Sequence, residues 1–144
     1  MKSLLIVCEG NICRSPMAEG LLKQALPGKT IRSAGLGALI GKPADPYAVQ
    51  LMAERGIDIS AHRAQQISTR LVTEADLILV MDLEQKKYVE ANYVGSKGKV
   101  FRLGEFAKVD IADPYREGLE SFEAAFRLID EGVKVFAERI AQVS

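Results

Sequence analysis

Unbroken apolar runs and helix-spaced apolar residues alternate along this chain, and the alternation sets its expected architecture. Leu4-Leu5-Ile6-Val7 is a continuous apolar run, which predicts a strand over residues 3–7 covered on both faces. From Pro16 the spacing changes. Met17, Leu21, Leu22 and Ala25 fall on one helical stripe that stops at Pro27-Gly28. A short strand is expected over 30–34, followed by a connection rich in glycine (Gly35, Gly37, Gly41). A second helix is predicted over 46–55, with Ala48, Leu51 and Met52 inward and Gly56 as its stop. A polar, turn-rich segment holds His62, and the apolar run over 75–81 then predicts a central buried strand. Asp82 is expected to cap a helix reaching Tyr88, and 100–103 reads as the last strand. Residues 104–118 show neither period and read as loop. The closing helix is the plainest signal, because Phe122, Phe126, Ile129, Val133, Phe136 and Ile140 advance by four and three residues in turn.

This order predicts an α/β fold, a parallel sheet with helices on its faces. A length of 144 residues fits a single domain over 1–144 with a core of its own. Nineteen basic and nineteen acidic residues cancel, so no nucleic-acid surface or polybasic membrane anchor is expected. No apolar stretch has the length of a membrane span, and the first residues lack the regions of a signal peptide. A cytoplasmic monomer is the expectation. Both cysteines, Cys8 and Cys13, lie in one short loop, where a bridge would constrain little of the unfolded chain. Two thiols and one distant histidine, His62, also fall short of a zinc site. Reactive chemistry is the better reading.

The loop that follows the first strand carries it: Cys8-Glu9-Gly10-Asn11-Ile12-Cys13, closed by Arg14 and Ser15. Such a loop lies at the carboxyl edge of an open α/β sheet, where ligands bind. A helix N-terminus offers free N–H groups and partial positive charge to a phosphate. Gly10 is expected to let the backbone turn with its amides inward. Arg14 can hold two phosphate oxygens with its planar fork. Cys8 would lie beneath the phosphorus as a stabilised thiolate, and the Ser15 hydroxyl can donate to the sulfur. This loop does not end in Gly-Lys-Ser/Thr, so it is not a nucleotide-binding loop. Phosphoryl transfer to sulfur leaves an oxyanion that needs a proton, and Asp113 in Asp113-Pro114-Tyr115 is the candidate acid. Pro114 stiffens its backbone, and Tyr115 offers a stacking face for an aromatic substrate. The similar dipeptide Asp45-Pro46 is expected to open the second helix instead.

With both motifs in place, the chain resembles the low-molecular-weight protein tyrosine phosphatases over essentially its whole length. The resemblance implies a four-stranded parallel sheet flanked by helices on both faces, with the phosphate-binding loop after strand one. It also implies two-step chemistry without metal or cofactor: Cys8 attacks phosphotyrosine, Arg14 stabilises the phosphoryl oxygens, and Asp113 serves as acid and then base. Glu9, Gly10, Asn11, Ile12, Cys13, Leu39 and Tyr115 would line the substrate site, which also takes phosphate and other oxyanions. Asn11, Ser15, Ser33 and His62 would form a hydrogen-bonded support beneath the loop. Cys13 matches a second cysteine able to shield Cys8 by a reversible disulfide. Ala38 and Leu39 stand where eukaryotic members place an aromatic wall, as in a bacterial branch. The implied partner is then a phosphotyrosyl protein, an autophosphorylating tyrosine kinase controlling capsule or exopolysaccharide export.

Two rival readings address the same residues. A thioredoxin-coupled arsenate reductase shares this loop but needs cysteines downstream, and none follows Cys13. A catalytically silent phosphate-binding module would not require Cys8, Arg14 and Asp113 together. Glu9 departs from the family pattern, which is commonly small or apolar there. Unless its side chain points to solvent, it is expected to repel a dianion and lower affinity for phosphorylated substrates.

Overall fold

Four parallel strands form one sheet in the order β2-β1-β3-β4: β1 (Ser3–Cys8), β2 (Thr30–Gly35), β3 (Leu77–Val80) and β4 (Val100–Arg102). The computed structural model describes residues 1–143. β1 is central, with Ser3 opposite Thr30 and Cys8 opposite Gly35 on one side, and Leu4 opposite Leu77 on the other. Five α-helices join and cover the strands: α1 (Arg14–Ala25), α2 (Pro46–Glu54), α3 (Thr69–Glu74), α4 (Leu83–Asn92) and α5 (Leu119–Val143).

The unbroken apolar run of β1 follows from cover on both faces. Leu4, Ile6 and Cys8 pack with Met17 and Leu22 of α1, Met52 of α2, and Phe122 and Ile129 of α5. Leu5 and Val7 point the other way, into a smaller cluster with Val72 of α3 and Val89 of α4. Each such buried side chain contributes roughly 1.5–3 kcal/mol relative to exposure. This is the expected α/β sandwich.

Several boundaries differ from the sequence expectation. α1 begins at Arg14 rather than Pro16, with Cys13 at its N-cap and no side chain capping it. No capping side chain therefore occupies its first-turn N–H groups, and that of Ser15 turns to Cys8 Sγ. Ala25 is exposed, and Leu26 takes the buried place at the end of that stripe. α3 lies where the sequence predicts no helix: six residues are too few to show a period, although Ser68 caps it by accepting from the Leu71 N–H. α4 runs past Tyr88 to Asn92 behind its Asp82 cap. A 3₁₀ turn over Glu105–Ala107 interrupts the loop after β4.

From β1 the chain passes to β2 on one side, and β3 lies on the other. Loops leaving the carboxyl ends of β1 and β3 therefore diverge and open a crevice at the sheet edge. Gly35 fixes the floor of that crevice, because a Cβ there would sit 2.6 Å from the Glu9 carbonyl oxygen. Only glycine lets β2 end so close to the loop.

Candidate active site

The loop from Cys8 to α1 wraps the end of β1, and its left-handed residue is Asn11, with φ 59°. Gly10 is not left-handed, so the turn assigned to it from sequence belongs to Asn11. Asparagine tolerates this conformation when its side chain is tied locally. Here it is tied three times. Asn11 Nδ2 donates to Ser15 Oγ at 2.7 Å and to Ser33 Oγ at 3.0 Å, while Oδ1 accepts from the Gln65 N–H at 2.9 Å. His62 Nε2 lies 2.7 Å from the Asn11 carbonyl oxygen, which can only accept, so Nε2 carries the proton.

These bonds have a direction. Since Asn11 donates to the Ser15 oxygen, the Ser15 hydroxyl proton is free for Cys8 Sγ, 2.9 Å away. The Ser15 N–H also donates to Sγ at 3.4 Å. Two donors thus converge on one sulfur. The Ser33 hydroxyl in turn donates to Glu19 Oε1, the atom 3.9 Å from His62 Nδ1. Asn11 and Ser15 are fully buried. Sequence reading missed Glu19 and Gln65 in this support. Glu19 carried a signal, standing one helical turn after Ser15 on the same face of α1; Gln65 carried none.

Arg14 is buried beside the loop. Its Nη1 donates to the Ile111 carbonyl at 2.7 Å, and its Nη2 lies 3.6 Å from Asp113 Oδ2. Its Nε is buried without a partner, a donor that an oxyanion would satisfy. The half-exposed Asp113 accepts the Tyr115 N–H on Oδ1 at 3.1 Å, leaving Oδ2 to Arg14. Cys8, Cys13 and Asp113 meet at a cleft of about 140 Å³, walled by Ile12, Leu39 and Tyr115 with Glu9, Gly10 and Gly37. Asn11, Ser15, Ser33 and His62 do not line it; they stand beneath the loop. Burial, followed by the charges of Asp45, Cys8 and Asp113, pushes the Cys13 thiol far above its ordinary range. Cys13 is therefore held as a neutral thiol.

A larger groove of about 460 Å³ lies behind the loop, against Glu19, Ser33 and His62. Neither Cys8 nor Arg14 lines it, and its Lys23 is paired with Glu19 at 2.8 Å. Cys8 and Asp113 line the smaller cleft instead.

A sulfur reached by two donors, at the sheet edge and sharing a cleft with a carboxyl group, can serve a small phosphatase. The comparisons specify which one. The chain belongs to the low molecular weight phosphotyrosine protein phosphatases, whose family model matches residues 3–144. It is a protein-tyrosine phosphatase of that family. A probable low molecular weight protein-tyrosine-phosphatase EpsP of Ralstonia nicotianae is 56% identical over 140 residues, 97% of each chain. The structure of Vibrio vulnificus Wzb in complex with benzylphosphonate superposes with a TM-score of 0.92 at 39% identity, covering 96% of this chain and 98% of that one. YwlE arginine phosphatase from Geobacillus stearothermophilus matches with the same TM-score at 33% identity, covering 99% and 94%. No helix among the described residues is long and apolar enough to cross a membrane.

Proposed function

We propose that the chain hydrolyses phosphotyrosine through a phosphocysteine, with an autophosphorylating kinase of exopolysaccharide or capsule export as its cytoplasmic substrate. The observation carrying the mechanism is the pair of donors on Cys8 Sγ in one cleft with Asp113, whose carboxylate lies 3.6 Å from the buried Arg14. Sulfur attacks phosphorus, the S–P bond forms, and the P–O bond to the phenol breaks. Asp113 gives its proton to the departing phenolate oxygen. The Asp113 carboxylate then takes a proton from water, which attacks phosphorus; the S–P bond breaks and phosphate leaves. Arg14 holds the equatorial oxygens in both steps, using the Nε that lacks a partner. Cys13, close to Cys8 in the same cleft, would supply a second thiol to an oxidised Cys8.

The apolar wall of Ile12 and Leu39, with Tyr115 beside it, suits a flat aromatic leaving group. Acid quenching during turnover of a phosphotyrosyl peptide, followed by mass spectrometry, should find the phosphoryl group on Cys8. Turnover without it, or turnover kept in Cys8→Ser, would overturn the mechanism. Faster release from a phosphoarginyl peptide would overturn the tyrosine assignment. The kinase assignment is tested by Cys8→Ser capture from the native cell, where recovery of a different phosphotyrosyl protein would replace it.

A further inference from the structure

Glu9 is exposed, and its carboxylate folds across the loop toward Gly37: Oε1 lies 2.9 Å from where a Gly37 Cβ would stand. From there it lines two spaces at once. One is the catalytic cleft, and the other is an adjoining groove of about 400 Å³ that continues past Arg14 to α4. Asp82 and Glu84 line the far side of the groove, with Leu36 and the half-exposed Tyr88. Among the described residues Glu9 and Glu84 have no cation partner and accept no hydrogen bond; Asp82 accepts only the Gln85 N–H that caps α4. Arg14 is the one cation lining the groove, 3% exposed, with two of its nitrogens turned to Ile111 and Asp113 and its Nε unpartnered. Glu9 borders both spaces, so a residue flanking a phosphotyrosine bound over Cys8 can reach the three carboxylates across it.

We propose that this groove is a subsite for a cationic side chain flanking the phosphotyrosine, with Glu9 as its specificity-determining residue. This rests on the phosphatase reading above and names its substrate class. A carboxylate beside a dianion site disfavours a bare aryl phosphate, whereas a substrate bringing its own lysine or arginine cancels that repulsion. Leu36 gives the aliphatic stem of such a residue an apolar floor, and the Tyr88 ring offers a face to the cation. Gly37 leaves room for the Glu9 carboxylate, which a side chain there would push aside.

The test compares two phosphotyrosyl peptides that differ only in having lysine or glutamate immediately before and after the phosphotyrosine. At low salt the wild type should favour the lysine peptide in kcat/KM by about five- to tenfold, the scale of a few exposed charge pairs. The ratio should shrink as ionic strength rises. It should fall close to one in Glu9→Gln and partway in Glu84→Gln, and because each ratio is taken within one variant, general changes in activity cancel. A ratio near one in the wild type, or one unmoved by Glu9→Gln, would overturn the proposal. Loss of turnover on every peptide and on a simple aryl phosphate would instead overturn the phosphatase reading.

Discussion

The tripeptide Asp-Pro-Tyr occurs twice, at Asp45-Pro46-Tyr47 and Asp113-Pro114-Tyr115, and the two copies make the same local turn. In each, the aspartate Oδ1 accepts the tyrosine N–H, at 2.9 Å in the first and 3.1 Å in the second. Beyond that turn they part. Asp45 caps α2 with Pro46 in its first turn, and the Tyr47 ring packs on Phe122 with centroids 5.3 Å apart. Asp113 opens no helix, faces Arg14, and leaves Tyr115 to wall the cleft beside Cys8. Identical sequence and the same local hydrogen bond thus serve a helix cap in one place and line a cleft beside Cys8 in the other. What differs is the partner each carboxylate meets across the fold.

The comparison can be broken most decisively at the two aspartates. Asp113→Ala should lower kcat by roughly 10²–10⁴ on aryl phosphates with poor leaving groups, and by less as the leaving group improves. An equal loss across all leaving groups would remove Asp113 from the acid role. Arg14→Lys deletes what distinguishes the second copy, the fork that reaches both Ile111 and Asp113; kcat/KM should fall roughly 10²–10³-fold. At the tyrosines the readouts should separate. Tyr115→Ala should raise KM for aryl phosphates, while Tyr47→Ala should lower stability by about 1 kcal/mol through the lost Phe122 pair, measured by urea unfolding. Asp45→Ala should cost about 1 kcal/mol as a lost cap with turnover kept; loss of turnover comparable to Asp113→Ala would erase the distinction.

The smallest effect is one of pH, and both copies contribute to it. Burial first, then Asp45 ahead of Asp113, raises the Cys13 thiol above its ordinary value of 9.0. Below that value both folded and unfolded chains keep the proton, and the group is silent. Above it the unfolded chain loses a proton that the folded chain retains, so stability falls as pH rises. Denaturant unfolding above pH 9 should therefore decline more steeply in the wild type than in Cys13→Ala. Parallel pH curves would show that Cys13 is not held neutral.

Much of the fold was legible because long apolar runs and long amphipathic stripes carry their own periodicity. β1 and α5 are the plainest cases, one buried on both faces and the other on a single stripe. α3 was not legible, since six residues held by a Ser68 cap give no repeat to read. In the loop, residue types pointed to the nucleophile and the guanidinium, yet the left-handed turn fell to Asn11 rather than Gly10. That outcome depends on Ser33 from β2 and Gln65 from a distant segment, which hold the Asn11 side chain in place.

The sequence by itself determined the elements, the thiol loop at the end of a buried strand, and the turn inside each Asp-Pro-Tyr. Those follow from interactions between residues a few positions apart. Only the tertiary structure decided which aspartate faces the sulfur and that the Glu9 carboxylate spans cleft and groove. It also supplied Glu19 and Gln65 to complete the support. Each of these depends on strand order and loop direction, which bring together groups up to about a hundred residues apart, as Arg14 and Ile111 are.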